Sequence, residues 1–203
     1  MEKVFKDFNK EVAEIIKNGG VVVLPTDTLY GIIASVDSKE AVLKIGGLKE
    51  RPNDKSYITL ISGMEDIDKL ELIINDRQKK FLEKIWPGSV TLIFPMLHDL
   101  YPYTHIGHSD VAVRMPKKDD LLKFLKETGP VIAPSANPNG KETAMTIDEA
   151  VKYFGKRVDA YVDQGEKTGL PSTVIRFKDE KIEYIRDGVM PFVDLEKIWE
   201  EIN

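Results

Sequence analysis

The sequence predicts an α/β protein with a twisted mixed sheet flanked by helices. Short apolar runs of strand length alternate along the chain with amphipathic stretches of helical length, a pattern typical of sheets layered with helices. Toward the C-terminus, strand-like runs at 173–177 and 181–185 are separated by only three charged residues. These two runs predict a hairpin, so antiparallel pairs must join the parallel ones.

The helices are predicted from the spacing of their apolar residues. The first is indicated by apolar residues that recur at helical spacing between Phe8 and Ile16, and Gly19 and Gly20 end it. The second is predicted over 39–48, and Pro52 prevents its continuation. Four more helices are predicted over 76–85, 119–127, 147–153 and 193–202.

The strands are predicted from short runs rich in valine and isoleucine. The first is the apolar run at 21–24, which directly follows the two glycines. Further strands are predicted at 57–61, 90–94, 111–114, 131–133 and 159–162, followed by the two strands of the hairpin.

Composition limits the class of protein. The chain has 203 residues, of which 42% are hydrophobic and 31% charged, and we expect one domain spanning 1–203. No apolar run approaches the roughly 18 residues of a membrane helix, the N-terminus lacks a secretory apolar core, and the absence of cysteine excludes disulfides and thiolate metal sites. We therefore expect a cytoplasmic protein without membrane contact. The formal net charge of −5 argues against a surface built wholly for nucleic acid but allows a local basic cleft.

Polar residues directly follow two of the predicted strands. Residues 25–31, PTDTLYG, follow the first strand, and residues 135–137, SAN, come shortly after the strand at 131–133. Ligands of α/β proteins bind at strand ends, where backbone donors are unpaired and side-chain directions are fixed. The same residue types also build helix caps and turns without any ligand, so both interpretations stay open.

Arg114 ends the alternating run 110–114. A period of two puts Asp110, Ala112 and Arg114 on one face of the strand and the two valines on the other. Arg114 therefore either forks onto a ligand carboxylate or is an exposed arginine at a strand end.

Three cations cluster at the end of the second predicted helix: Lys49, Arg51 and Lys55. Such a group suits a triphosphate, because charge-assisted bonds offset the cost of desolvating a highly charged ligand. A solvated helix C-terminus, where the macrodipole favours cations, is the alternative explanation, and for this run taken alone it is the favoured one. The sequence contains neither a Walker loop nor a spaced-glycine dinucleotide fingerprint, so a nucleotide would have to be held in another way.

The histidines His98, His105 and His108 all lie within 96–110. Their spacing matches no metal-ligand motif, so we predict no metal site. The segment itself predicts a long loop, and loops of this length often close over clefts as lids.

Eight blocks of sequence, taken in order, resemble the YrdC-like family of threonylcarbamoyladenylate synthases. The blocks are 25–31, 49–55, 86–92, 111–116, 133–137, Gly140, 172–174 and 186–188. The resemblance implies a twisted α/β sheet with a concave, locally basic cleft. It also implies a reaction in which L-threonine, bicarbonate and ATP give threonylcarbamoyl-AMP and pyrophosphate, with Mg²⁺ accompanying the ATP.

The resemblance further implies a role for each matching site residue. Threonine would be held by Thr28, Arg114 and Ser135. The nucleotide and its phosphates would be held by Arg51, Lys55, Asn137, Ser172 and Arg186. Lys49, Arg51 and Lys55 would form the catalytic basic motif, which neutralises the triphosphate. No covalent protein nucleophile is needed, because a carbamate oxygen of the substrate attacks the α-phosphate.

The implied product is the activated intermediate for N6-threonylcarbamoyladenosine in transfer RNA, so a downstream tRNA transferase of the Kae/TsaD type is implied as a partner, and a weak RNA contact stays open. Leu60 stands where some relatives have histidine, and residues 141–146 replace a proline-rich segment. We expect the short, single-domain form of the family. Two alternatives remain: a non-catalytic double-stranded RNA or tRNA-binding module, and a carbamoyl-transfer domain of the hydrogenase-maturation type.

Overall fold

The structure, a computed structural model, describes residues 2–50, 56–96, 98, 100–105 and 108–202. The strands in these ranges are β1 (Val4–Phe5), β2 (Val22–Pro25), β3 (Tyr30–Ser35), β4 (Ile58–Leu60), β5 (Val90–Pro95), β6 (Asp110–Arg114), β7 (Val131–Ile132), β8 (Ala160–Val162), β9 (Thr173–Lys178) and β10 (Lys181–Arg186). The helices are α1 (Lys10–Lys17), α2 (Lys39–Lys49), α3 (Glu65–Lys69), α4 (Asp76–Ile85), α5 (Pro102–His105), α6 (Asp119–Thr128), α7 (Ile147–Phe154) and α8 (Phe192–Glu200).

The strands form one mixed sheet in the order β1, β8, β2, β3, β7, β4, β6, β5, β9, β10. The pairs β1–β8, β2–β8, β4–β6 and β5–β9 are parallel, and the other neighbours are antiparallel. The predicted fold class and the predicted hairpin are thus confirmed. The hairpin turns at Asp179 and Glu180, both of which have positive φ, as a tight two-residue turn requires.

Local sequence explains why the main helices begin where they do. The side chain of Asn9 accepts a hydrogen bond from the Val12 N–H at the start of α1, and Asn75 and Gln78 form a reciprocal capping box at the start of α4. Each cap satisfies backbone donors that have no partner within the helix. The apolar face of each helix then packs on the sheet, as its spacing predicted.

The two faces of β6 have different neighbours. Val111 and Val113 pack into a hydrophobic cluster with α4 and α8, whereas Ala112 and Arg114 point to the opposite face. Arg114 pairs with Leu60 of β4, and Ala112 pairs with Ile58. The separation predicted from the period of two is therefore confirmed, and it places a cation on a face of the sheet that is otherwise largely apolar.

Among the strands and α-helices of the described ranges, β1, β3, α3 and α5 were not predicted. β1 and α3 are only two and five residues long. All six residues of β3 are buried, so it shows no alternation of polar and apolar residues. The prediction of a loop throughout 96–110 was wrong at Pro102–His105, which form α5. The backbone N–H of Tyr57 donates to the carbonyl of Thr104, so this helix is joined to the start of β4.

None of the helices within the described ranges combines the length and the apolar character needed to cross a membrane.

Candidate functional site

A cavity of about 160 Å³ lies where six separate segments of the described chain meet. Its lining includes five of the residues predicted for the site, namely Thr28, Arg114, Ser135, Ser172 and Arg186. These residues come respectively from the β2–β3 turn, the end of β6, the segment after β7, the residue before β9 and the end of β10. The fold therefore brings together side chains that the sequence spreads over more than 150 residues.

The β2–β3 turn is held by a hydroxyl network around Thr26, a buried residue. The Thr26 hydroxyl lies 2.8 Å from the Leu29 carbonyl oxygen, to which it donates its only proton. The contact of 3.0 Å between Thr26 Oγ1 and Thr28 Oγ1 then requires the Thr28 hydroxyl to be the donor. Thr28 therefore presents oxygen lone pairs rather than a proton to the cavity.

The turn after β7 is held by Lys49. Its buried ammonium donates to the carbonyl oxygens of Ser135 and Asn137, the latter at 2.7 Å. The Asn137 carboxamide accepts from the Ser135 hydroxyl at 2.6 Å and donates to two carbonyl oxygens of its own turn. Lys49 and Asn137 thus lie behind Ser135, outside the cavity lining, and fix the position of the serine. Their roles toward the triphosphate and the nucleotide stay predictions.

The Ser172 side of the cavity depends on close backbone packing. The hydroxyls of Ser172 and Thr91 are 2.8 Å apart, and Arg186 Nη2 donates to the Ser172 carbonyl at 2.8 Å. A Cβ at Gly188 would come within 2.3 Å of the backbone atoms of Pro171, Ser172 and Thr173. Only glycine allows the segment after β10 to approach the cavity wall so closely.

Arg114 forms a buried ion pair with Asp27. Both side chains are only 5% exposed, so the interpretation of Arg114 as an exposed strand-end arginine is wrong. Burial lowers the pKa of Arg114, and the neighbouring carboxylate of Asp27 opposes that shift. In the part of the chain that the structure describes, Arg114 Nε is buried without a hydrogen-bond partner.

Two arginines and no carboxylate are among the residues that line the cavity in the described ranges. Burial and the charge of Arg114 lower the pKa of Arg186. Such a site favours an anion, because an anionic ligand relieves the repulsion between two cations held in a partly dry environment.

Several predicted or missed residues complete the inventory. Arg51 and Lys55 lie outside the described residues. Sequence analysis did not assign roles to Asp27 or Tyr30, although both lie in the PTDTLYG block that drew attention to the turn. Tyr30 lines the cavity, and its hydroxyl donates to the Gly165 carbonyl at 2.7 Å. No group of three or more histidine or acidic residues suited to a metal occurs within the described ranges.

Residues 14–188 match the family model for Sua5, YciO and YrdC, whose description is "Telomere recombination". A Methanocaldococcus jannaschii protein provisionally named threonylcarbamoyl-AMP synthase is 36% identical over 194 residues, which cover 92% of this chain and 90% of that protein. A Pyrococcus abyssi threonylcarbamoyl-AMP synthase is 33% identical over 194 residues, or 94% of this chain. The match spans only 57% of the Pyrococcus protein.

The fold matches a solved structure over its whole length. The crystal structure of Pyrococcus abyssi Sua5 complexed with L-threonine superposes with a TM-score of 0.89 at 30% sequence identity. The superposition covers 100% of this chain and 62% of that one. The likeness therefore extends over all the elements that build the cavity.

Proposed function

The chain belongs to the Sua5–YciO–YrdC family, and from this premise we propose that it is a threonylcarbamoyl-AMP synthase. It forms threonylcarbamoyl-AMP and pyrophosphate from L-threonine, bicarbonate and ATP, as a step in the N6-threonylcarbamoyladenosine modification of transfer RNA. The observation that carries this proposal is the convergence of Thr28, Arg114, Ser135, Ser172 and Arg186 on one cavity. The names of the relatives favour this activity over a non-catalytic RNA-binding module.

Threonine binds at the end of the cavity formed by Arg114 and Thr28. Its carboxylate takes the guanidinium, since Arg114 retains an N–H without a partner among the described residues. Thr28 offers only an acceptor, so it takes a proton-bearing group of the ligand, either the amino nitrogen or the hydroxyl. A site that pairs both ends of threonine discriminates against apolar analogues, because binding them leaves buried polar groups unpaired.

The reaction needs alignment of two anions rather than a protein nucleophile. The amine of threonine and carbon dioxide from bicarbonate form a carbamate, and a carbamate oxygen attacks the α-phosphorus of ATP. The bond from the α-phosphorus to the bridging oxygen breaks, and pyrophosphate leaves with that oxygen. Arg186 and the hydroxyl of Ser172 stabilise the negative charge that develops. The Ser135 hydroxyl donates its only proton to Asn137, so it offers lone pairs to the amino or hydroxyl group of threonine. We assign the further neutralisation of the triphosphate to Lys49, Arg51 and Lys55, and a contact with the nucleotide to Asn137.

Magnesium enters with the nucleotide. Mg²⁺ is usually bound by one or two carboxylates together with substrate phosphates, and the described residues that line the cavity supply hydroxyls but no carboxylate. This inventory fits a magnesium carried by the ATP phosphates and neutralising them. A downstream tRNA transferase of the Kae/TsaD type then accepts the unstable mixed anhydride.

The proposal is tested by a product assay. Purified protein is incubated with magnesium-ATP, L-threonine and bicarbonate, and pyrophosphate release is followed together with mass detection of threonylcarbamoyl-AMP. We expect product only when all three substrates are present. Turnover that does not depend on threonine and bicarbonate, or tight RNA binding without any turnover, would overturn the assignment.

A matched pair of arginine variants ties the activity to the cavity. Arg114→Gln removes the guanidinium that faces the ligand, and loss of a charge-assisted hydrogen bond of this kind raises the KM for threonine by about ten- to a hundredfold. Arg176→Gln is the control. Arg176 on β9 is likewise paired with a carboxylate, that of Asp110 at 2.8 Å, but its side chain is 38% exposed and it does not line the cavity. Equal effects of the two substitutions on KM would contradict the placement of threonine at Arg114.

A further inference from the structure

We propose that Asp27 is a positioning residue for the amino-acid substrate, which holds the guanidinium of Arg114 in the orientation that binds the carboxylate. Asp27 lies in the β2–β3 turn but, unlike its neighbours Thr26 and Thr28, it does not line the cavity. Its effect on the ligand therefore passes through Arg114. The inference rests on the proposed function, because it takes the ligand of the cavity to be an amino acid.

Both oxygens of the Asp27 carboxylate are in use. Oδ1 accepts from Arg114 Nη1, and Oδ2 accepts from the Ser89 hydroxyl and from the Lys117 backbone N–H, each at 3.2 Å. The three partners are 62 to 90 residues away in sequence. A carboxylate held at both oxygens cannot rotate, so it holds Nη1 of the guanidinium at a defined position.

These contacts also fix the turn over the sheet. In the strand order, β7 and β4 lie between β3 and β6. The turn before β3 nevertheless lies within hydrogen-bond distance of the end of β6 and of Ser89, which immediately precedes β5. Asp27 thus joins Thr28, on one wall of the cavity, to Arg114 on the other, and it sets the distance between the two groups assigned to the substrate.

The ligand carboxylate binds the N–H groups of Arg114 that Asp27 leaves unused. Asp27 takes Nη1, whereas Nε is buried and has no partner in the described part of the chain. Nε is shielded from solvent, whereas Nη2 is not buried and has no hydrogen-bond partner within the described ranges. Occupation of Nη1 by Asp27 therefore leaves Nη2 for the ligand carboxylate, which defines one binding direction.

A simpler role for Asp27 would be to neutralise the charge of Arg114, and the two roles predict opposite results. If Asp27 only neutralises, removal of its charge makes the cavity more cationic and strengthens the binding of an anionic ligand. If Asp27 positions, its removal leaves Arg114 free to adopt orientations that do not bind, and ligand binding weakens. The sign of the change in affinity therefore separates the two roles.

Asp27→Asn is the informative substitution because asparagine has the same shape but only one acceptor oxygen. If that oxygen faces Arg114, the amide NH₂ faces the backbone N–H of Lys117. In the opposite orientation, the NH₂ faces Arg114 Nη1. Either orientation sets two donors against each other, so asparagine cannot reproduce the contacts of the carboxylate.

The experiment is a calorimetric titration of L-threonine into the full chain, with and without a non-hydrolysable ATP analogue. We expect Asp27→Asn to weaken threonine binding by about tenfold, the effect of losing roughly one hydrogen bond to a charged group, and to leave binding of the analogue unchanged. Unchanged or tighter threonine binding by Asp27→Asn would overturn the positioning role. If the wild-type chain itself binds no threonine and forms no product, the proposed function fails instead.

Asp66→Asn is the matched control. The Asp66 side chain is 1% exposed and accepts from the Ser62 backbone N–H, the Ser62 hydroxyl and Lys69, but it does not line the cavity. This variant should lose stability without any change in threonine affinity. A weaker affinity in Asp66→Asn equal to that in Asp27→Asn would show that the effect is a general loss of rigidity and would overturn the inference.

Ser89→Ala keeps the proposal testable if Asp27→Asn does not fold. It removes one of the two hydrogen bonds to Asp27 Oδ2 and leaves the charge of the carboxylate in place. In steady-state assays we expect the KM for threonine to rise by about two- to fivefold while kcat and the KM for ATP stay the same, because a positioning contact acts on ground-state binding of the amino acid. A fall in kcat with an unchanged KM would contradict this role.

Discussion

Asp27 and Asp66 have the same kinds of hydrogen-bond partner, but those of Asp66 are close in sequence and those of Asp27 are distant. Each buried carboxylate accepts hydrogen bonds from one cation, one serine hydroxyl and one backbone N–H. The partners of Asp66 are three or four residues away in sequence, whereas those of Asp27 are 62 to 90 residues away. Identical chemistry therefore stabilises a single helical turn in one place and assembles the candidate site in the other.

The difference lies in what the cation can do when its carboxylate is lost. The side chain of Lys69 is 61% exposed and can return to water, whereas that of Arg114 is 5% exposed and cannot. Removing one partner of a buried pair leaves a buried charge without compensation, which costs much more than the pair contributes. The long-range pair is thus the more vulnerable of the two.

The largest effect is expected for Asp27→Ala compared with Asp66→Ala. Loss of Asp27 should lower the free energy of unfolding by about 3–5 kcal/mol, because Arg114 stays buried and charged. Loss of Asp66 should lower it by about 1–3 kcal/mol, since two donors on Ser62 lose their acceptor while Lys69 is solvated. Urea denaturation of both variants measures the difference, and equal losses would show that the burial of Arg114 carries no special cost.

Two glycines test the same contrast between long-range and local structure: Gly188, which packs on residues 171–173, and Gly47, which lies within α2. Ala at Gly188 would press its Cβ on backbone atoms of 171–173 at 2.3 Å, and overpacking of this kind costs about 1–3 kcal/mol. We expect Gly188→Ala to displace Ser172 and to reduce turnover at least tenfold, as a misplacement of about 1 Å in a reacting site does. Pyrophosphate release measures the rate, and urea denaturation measures the stability.

Gly47 provides the control for that substitution. It lies within α2, and a Cβ added there would meet no atom within 4 Å. Gly47→Ala should therefore raise the free energy of unfolding by about 1 kcal/mol, which is the difference in helix propensity between the two residues. Turnover should stay at the wild-type level. A gain in stability from Gly188→Ala comparable to that from Gly47→Ala would contradict the close packing described around Ser172.

What the sequence could predict follows the same division. The caps at Asn9 and Asn75 and the amphipathic helices depend on residues within one or two turns, so their patterns are visible in the sequence. β3 was missed because a strand buried on both faces has no period, and because its first two residues, Tyr30 and Gly31, belong to the PTDTLYG block, which resembles a turn. The mixed sheet was predicted from the alternation of elements, but the order of its strands depends on contacts that no local pattern encodes.

The candidate site was predictable as a set of residues but not as an arrangement. Thr28, Arg114 and Ser135 were assigned through a family resemblance, and the structure places all three on one cavity. The ion pair with Asp27 spans 87 residues, so it becomes visible only when the topology is known. Lys49 makes another long-range contact. Its ammonium donates to carbonyl oxygens of the turn that carries Ser135, 86 and 88 residues away, which no local pattern reveals, and its role toward the triphosphate stays a prediction.

The smallest expected effect is the pH dependence of the stability that Asp66 contributes. Burial raises the pKa of Asp66, but hydrogen bonds from Lys69 and Ser62 outweigh burial and hold it below the ordinary value of 3.8. A carboxyl with a depressed folded-state pKa stabilises the protein above its unfolded-state pKa, and the stabilisation is lost as the pH falls through the folded-state value. The stability difference between wild type and Asp66→Asn should therefore be constant from neutral pH down to about pH 5 and should shrink below about pH 4.

Urea denaturation at several pH values measures this difference, and asparagine is the right reference because it does not titrate. If the difference instead stayed constant below pH 4, the hydrogen bonds of Asp66 would stabilise its charged and neutral forms equally. The contacts of Lys69 and Ser62 with Asp66 would then stabilise the start of α3 whether or not Asp66 is charged. Such a result would mean that Asp66 resembles Asp27 in the geometry of its hydrogen bonds but not in stabilisation by its charge.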